Sequence, residues 1–155
     1  MKEIELTKGF VTQVDNNDYN WLIQSKWFVM KGWNTWYAAT QIKLKNGKYK
    51  ILFMHRVILD TPKALQGEHI DRNGLNNQRS NLRNATRAQN RANTLPGNNK
   101  KYKGTLKHGK QFISQIRING TTRNLGSFKT EEEAAKKYDL VAKDVFGEFA
   151  YLNFR

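Results

Sequence analysis

Residues 67–90 read GEHIDRNGLNNQRSNLRNATRAQN. An acid and a histidine, Glu68 and His69, stand side by side near its start. The stretch that follows is rich in Asn and Arg, a poor composition for an apolar core. It is therefore a loop, or it is held together by something other than apolar burial. Thr86 with Gln89 three residues on has the pattern of a capping box. That pattern predicts a helix starting near Arg87 and carrying Asn90 on its first turn. A hairpin ahead of such a helix brings Glu68 and Asn90 together. Two protein oxygens, completed by water and phosphate oxygens, suit a divalent ion. A histidine beside them can take a proton from water, because its pKa lies near neutrality. The predicted chemistry is metal-assisted hydrolysis of a phosphodiester.

Toward the N-terminus, residues 1–60 read as a small mixed unit that supports the central segment. Asp15 or Asn16 can cap a short helix over 18–24 that buries Trp21 and Leu22. KWFVM, TWYAATQI and KYKILFMH read as strands, separated by Gly32 and by the turn pair Asn46–Gly47. All four tryptophans (Trp21, Trp27, Trp33, Trp36) fall here, alternating with apolar residues as strand interiors do, and are expected in a core. His55 reads as either structural or close to phosphate. Toward the C-terminus, TLPGNNKK at 94–101 has the composition of a linker. KYKGTLK, QFISQIRI and TRNLGSF then read as three strands, the last two joined by Asn119–Gly120. Thr130 and Glu133 form a second capping box, and an amphipathic helix runs on to a stop at Gly147. The expected fold class is α+β: a small N-terminal mixed β unit, a central ββα motif, and a C-terminal three-stranded antiparallel sheet packed on one helix.

The charge pattern points the same way. The chain has 155 residues, 27 Lys and Arg against 13 Asp and Glu, and a formal charge of +14. So basic a chain most often meets a polyanion, usually nucleic acid. Residues 100–129 carry +8 with no acid, while 130–155 carry −2. A generic solubility surface would spread that charge; a binding face backed by a supporting helix concentrates it. Alternation places Gln115, Arg117 and Asn119 on one face of their strand, with Ile116 and Ile118 toward the helix. Arg117 is the candidate base reader, and Lys103, Lys107 and Lys110 are candidate phosphate contacts. There is no cysteine, which excludes disulfides, cysteine nucleophiles and Cys-rich zinc sites. No apolar run is long enough to span a bilayer, so no membrane partner is expected. A cytoplasmic location, in a bacterial or phage-infected cell, is expected.

Two family resemblances sharpen this reading. The segment 67–93 resembles the HNH, or ββα-metal, nucleases, most closely those of phage and intron homing endonucleases. The resemblance implies that His69 is the general base, Asn81 the Asn that orients the histidine ring or braces the loop, and Glu68 and Asn90 the metal ligands. The family usually has Asp where Glu68 stands, so the carboxylate here reaches about one bond further. Mg²⁺ or Mn²⁺ is the implied ion, with no zinc. Arg72, Arg79, Arg83, Arg87 and Arg91 would hold the scissile backbone. Residues 102–154 resemble the DNA-binding domain of plant ethylene-response factors, the APETALA-two type, through YKG, QIRI, the NG turn, LGSF, TEEEAAKKYD and FGEFAYLNF. That family lays its sheet in the major groove. By position, Arg117 matches a strand Arg, Phe112 stands where Trp is common, Thr121 and Thr122 where basic residues are frequent, and Arg123 follows on the third strand. The implied organisation is a nuclease domain over 1–93, a linker over 94–101 and a DNA-binding domain over 102–155. The expected partner is double-stranded DNA, and a monomer is compatible with the sequence. The rival reading is a DNA-binding regulator whose nuclease motif has lost activity through Glu68.

Overall fold

The structure, a computed structural model, describes residues 1–97 and 100–154. Its contacts form two compact units, Met1–Thr86 and Arg87–Arg155.

The first unit begins with β1 (Lys2–Glu5), β2 (Val11–Val14) and helix α1 (Asn16–Leu22). Then come β3 (Phe28–Lys31), β4 (Trp36–Lys43), β5 (Tyr49–Phe53) and the short helix α2 (Met54–Ile58). The motif follows as β6 (Gln66–His69), β7 (Asn76–Asn77) and β8 (Leu82–Ala85). β3, β4 and β5 form one antiparallel meander. β6 pairs antiparallel with β8, setting Glu68 opposite Arg83 and His69 opposite Leu82. β7 runs parallel to β2, with Val14 opposite Asn77, which ties the motif's loop to the N-terminal hairpin. One core lies beneath these elements, built from Ile4, Leu6, Val14, Leu22, Trp27, Val29, Met54, Ile58 and Leu82.

Three local expectations change here. The tryptophans are not all core residues: Trp27 is buried, Trp21 is 40% exposed and Trp33 is 94% exposed. Helix α1 starts at Asn16, and rotating it to bury Asp18 and Leu22 turns Trp21 outward, where its indole donates to Asp18 Oδ1 at 3.1 Å. The strand expected through His55 stops at Phe53, and Met54 turns into α2, which puts His55 on a helix rather than on a sheet.

The second unit holds α3 (Arg87–Ala92), β9 (Thr105–His108), β10 (Gln111–Ile118), β11 (Thr121–Phe128) and α4 (Glu131–Phe146). α3 starts where the capping pattern predicts it. By its contacts, the second compact unit begins at α3. The reason lies at the helix end: Lys103 Nζ donates to the carbonyls of Ala92 and Thr94 at 2.6 and 2.7 Å, and Tyr151 N donates to Ala92 O at 3.0 Å. Asn98 and Asn99, in the expected linker, lie outside the described residues. The sheet order is β11-β10-β9, all antiparallel. Asn119 and Gly120 both have positive φ, as the hairpin turn requires. β9 begins at Thr105, later than the YKG stretch suggests. Gly104 sits at φ +80°, and a Cβ there would fall 1.9 Å from the Tyr138 ring. Thr130 and Glu133 make the reciprocal capping box, and α4 covers the sheet with Tyr138 and Ala142 against Ile116. None of the helices in the described residues is long and apolar enough to cross a membrane.

Candidate nuclease site

The loop between β6 and β8 has almost no apolar burial of its own, and a polar network replaces it. Asn81 is its hub. Its Oδ1 accepts from Asp71 N at 2.9 Å, and its Nδ2 donates to Asp71 Oδ1 at 2.9 Å and to Asn76 O at 2.8 Å. Of the two roles considered for Asn81, the geometry gives it the bracing one. The first unit's N-terminal elements grip the same loop from outside. Thr12 Oγ1 donates to Leu75 O at 2.8 Å, and Arg79 N donates to Asp15 Oδ2 at 2.8 Å. The Arg79 guanidinium makes a two-pronged pair with buried Asp18 at 2.7 and 2.8 Å, and this raises the pKa of Arg79. Arg79 is therefore a strut within the first unit, not a side chain held out for a phosphate.

His69 is 6% exposed at the end of β6. Its Nε2 lies 3.3 Å from Asn77 Oδ1. Sequence reasoning missed Asn77, whose own partner sits far away in sequence. Asn77 Nδ2 donates to Thr12 Oγ1 at 2.7 Å and toward Gly74 O at 3.4 Å. A carbonyl only accepts, so the amide NH₂ is fixed on that side and Oδ1 must face the ring. Nε2 then carries the hydrogen, and the lone pair of the neutral imidazole lies on Nδ1. Burial lowers the His69 pKa, against smaller opposing effects of the Asn77 hydrogen bond and the Asp71 charge. The ring is thereby kept neutral near pH 7, the form that accepts a proton.

His55 packs edge-on to His69 with ring centroids 4.7 Å apart, and Tyr37 and Phe53 contact its ring. Burial first, then the nearness of His69 and Arg56, which would repel a second cation, lower its pKa to about 3. His55 is thus an uncharged packing group. The close approach of the two rings needs Gly67, since a Cβ there would lie 2.6 Å from His55 Cδ2.

Glu68 is 4% exposed, on the opposite side of β6 from His69. Arg83 donates to its Oε1 from Nη2 at 2.6 Å and from Nε at 3.2 Å. Arg83, a candidate DNA contact, is thus engaged with the candidate metal ligand. Among the described residues no cluster of three or more His, Asp or Glu forms a ready-made metal cage. The donor chemistry still fits a hard cation. Glu68 is a carboxylate, a donor such ions take, and they accept phosphate and water oxygens for the remainder.

Asn90 is half-buried on α3, in the second unit. Arg87 and Arg91 on the same helix and Gln115 and Arg117 on β10 line one groove of about 510 Å³. Arg117 Nε also donates to Gly120 O at 3.1 Å. Lys107 and Lys110 are exposed. The strand register reassigns two cations. Arg123 lies opposite Ile116, and Lys107 opposite Phe112, so both fall on the sheet face that α4 covers. The open face carries Gln115 and Arg117 with Thr122 and Asn124. Lys103 is not free for a phosphate, because its ammonium closes the end of α3.

A polar-braced loop holding a buried neutral histidine beside a buried carboxylate is an arrangement suited to hydrolysis. Comparison with known proteins agrees. The chain is 35% identical over 147 residues to an uncharacterized HNH endonuclease of Acanthamoeba polyphaga mimivirus, covering 94% of this chain and 76% of that protein. No family profile and no solved structure matches the chain. The class is nuclease, and the chain belongs to the HNH endonuclease family.

Proposed function

We propose that the protein is a site-directed DNA endonuclease of the homing kind, in which one half cuts and the other finds the site. The observation that carries the cutting half is His69, buried, neutral, and held by Asn77 with its lone pair on Nδ1. In this reading Nδ1 takes the proton from an attacking water as its oxygen bonds to phosphorus. The P–O bond to one deoxyribose then breaks, and that oxygen leaves with a proton from solvent. Glu68 and Asn90 are the residues that would hold Mg²⁺ or Mn²⁺, and the ion when bound would supply positive charge at the scissile phosphate. Asn81 keeps the loop in shape. Arg87 and Arg91 hold the backbone near Asn90, which the same helix carries. Gln115 and Arg117, in an APETALA-two-like sheet, read bases, with Lys110 on phosphate.

The test is metal-dependent nicking of plasmid DNA. Wild type nicks with Mg²⁺ or Mn²⁺, and His69→Ala binds DNA but does not nick. Full activity in His69→Ala refutes the assigned base. The Glu68–Arg83 ion pair favours a second reading, a DNA-binding regulator with weak or absent cleavage, because the guanidinium is paired with the carboxylate that would bind the metal. Binding by wild type without nicking in either metal decides for that reading.

A further inference from the structure

The β4–β5 hairpin carries more charge and more exposure than a supporting element needs. Residues 41–51 are exposed without a break, although both strands stay paired from Ala39–Phe53 to Lys43–Tyr49. Directly opposed residues share a face, so Gln41, Lys43, Tyr49 and Ile51 lie on one side and Ile42 and Lys50 on the other. Both faces are open to solvent, so beyond Thr40–Leu52 the ribbon projects from its own unit. It stays ordered to its tip: Leu44 N donates to Lys48 O at 2.7 Å and Lys48 N to Asn46 Oδ1 at 3.1 Å.

Four lysines, Lys43, Lys45, Lys48 and Lys50, stand on this ribbon, and none has a carboxylate partner among the described residues. The sequence supplies none nearby, since residues 19–59 hold seven Lys and Arg and no Asp or Glu. Like charges on a free two-stranded ribbon oppose its order, and such ribbons are marginal alone. A polyanion offsets both effects. The ribbon's shape selects among polyanions, because the major groove of duplex DNA is about 12 Å wide and admits a two-stranded ribbon. Tyr49, 63% exposed, and Ile51, 44% exposed, add apolar contact of the kind that meets thymine methyls and sugars.

We propose that the β4–β5 ribbon is a second DNA-binding element, inserted into a groove of the duplex and independent of the C-terminal sheet. The proposal rests on the reading of the protein as one that acts on DNA. The test uses the full chain and a mixed-sequence duplex at several salt concentrations. K43Q/K45Q/K48Q/K50Q lowers affinity about tenfold or more and cuts the salt slope by about three, as lost phosphate contacts require. A control of equal charge, K8Q/K63Q/K136Q/K143Q, changes affinity much less. In wild type, bound duplex shields the four ribbon lysines from acetylation. All four are exposed, so the variant folds, which its thermal midpoint checks. If wild type binds but the ribbon variant matches the control, with no shielding, the ribbon proposal falls and the endonuclease reading stands. A stem of RNA that displaces duplex DNA overturns the choice of partner. If wild type binds no duplex at all, both proposals fall together.

Discussion

The motif loop of the first unit and the sheet of the second are both polar segments, and they are ordered by opposite means. The sheet is built from near neighbours. β10 and β11 fold on the Asn119–Gly120 turn, and α4 follows directly to cover them with Tyr138 and Ala142. The loop is built from far ones. Thr12, Asp15 and Asp18 hold Leu75, Asn77 and Arg79 across more than 60 residues of sequence. Distant polar contacts cost more chain entropy to form than a local hairpin does. The difference implies that the candidate site depends on the first unit's N-terminal elements, whereas the sheet is held by neighbours close in sequence.

The comparison breaks most sharply at His69. His69→Ala reduces cleavage by about 10²–10⁴-fold, the range of a lost general base, and leaves duplex affinity unchanged. Single-turnover nicking and a binding titration measure the two separately. Asn77→Leu tests how the ring is set. Its effect falls on the cleavage rate and on the acid limb of the pH profile, while binding is retained. Next in size is the long-range strut. Arg79→Ala leaves the buried carboxylate of Asp18 with the Trp21 indole and no cation, and costs about 2–3 kcal/mol, because hydrogen bonds to charged groups are among the stronger ones. Denaturant unfolding shows the loss, and cleavage falls while the second unit's binding persists. If Arg79→Ala impairs binding and spares cleavage, the division of labour drawn above is wrong.

A third test uses pH. His55 has a folded pKa of about 3 against roughly 6.5 when unfolded. Between those values the unfolded state binds more protons, so the contribution is fully present above pH 6.5 and is lost as pH falls toward 3. The slope approaches about 1.4 kcal/mol per pH unit. Burial lowers His69 too, and this adds in the same direction. His55 Nδ1 makes no hydrogen bond among the described residues, so His55→Phe keeps the packing against Tyr37 and Phe53 and flattens the acid slope. An unchanged slope removes His55 from the account.

Much of this was legible in the sequence, for physical reasons that also mark where legibility stopped. The Thr130–Glu133 capping box, the Asn-Gly turn at 119–120 and the start of α3 are local chemistry, and they appear where the residues place them. Glu68 and His69 stand out in the sequence as an adjacent acid and histidine ahead of a predicted helix, in the pattern that resembles the HNH nucleases. Asn77 did not stand out, being one Asn among many, and only its bond to Thr12 makes it the fixed partner of His69. Lys103 and Arg123 looked like DNA contacts because charge alone carries no direction. The end of α3 needs a donor for its carbonyls, and the register turns Arg123 to the helix side. Trp33 looked like a core indole although it follows the break at Gly32; Gly32 N bonds Thr35 O, and the indole is 94% exposed on that turn.

The smallest effect tests the second half of the comparison, that the sheet unit is held locally. Thr130 Oγ1 accepts from Glu133 N at 3.2 Å, and Glu133 returns the bond to Thr130 N at 3.2 Å. Thr130→Ala removes one half of this box and costs about 1 kcal/mol, a usual value for a lost N-cap. Three glutamates in that first turn still favour the helix dipole, so α4 frays at its start and does not melt. The predicted signature is faster hydrogen exchange at Glu133 and its neighbours in the first turn, with β10 and β11 amides close to wild type and nicking unaffected. If Thr130→Ala instead loosens Asn77 and Asn81, order in the motif loop is not set by the N-terminal struts alone, and the contrast between a locally and a distantly held segment has to be given up.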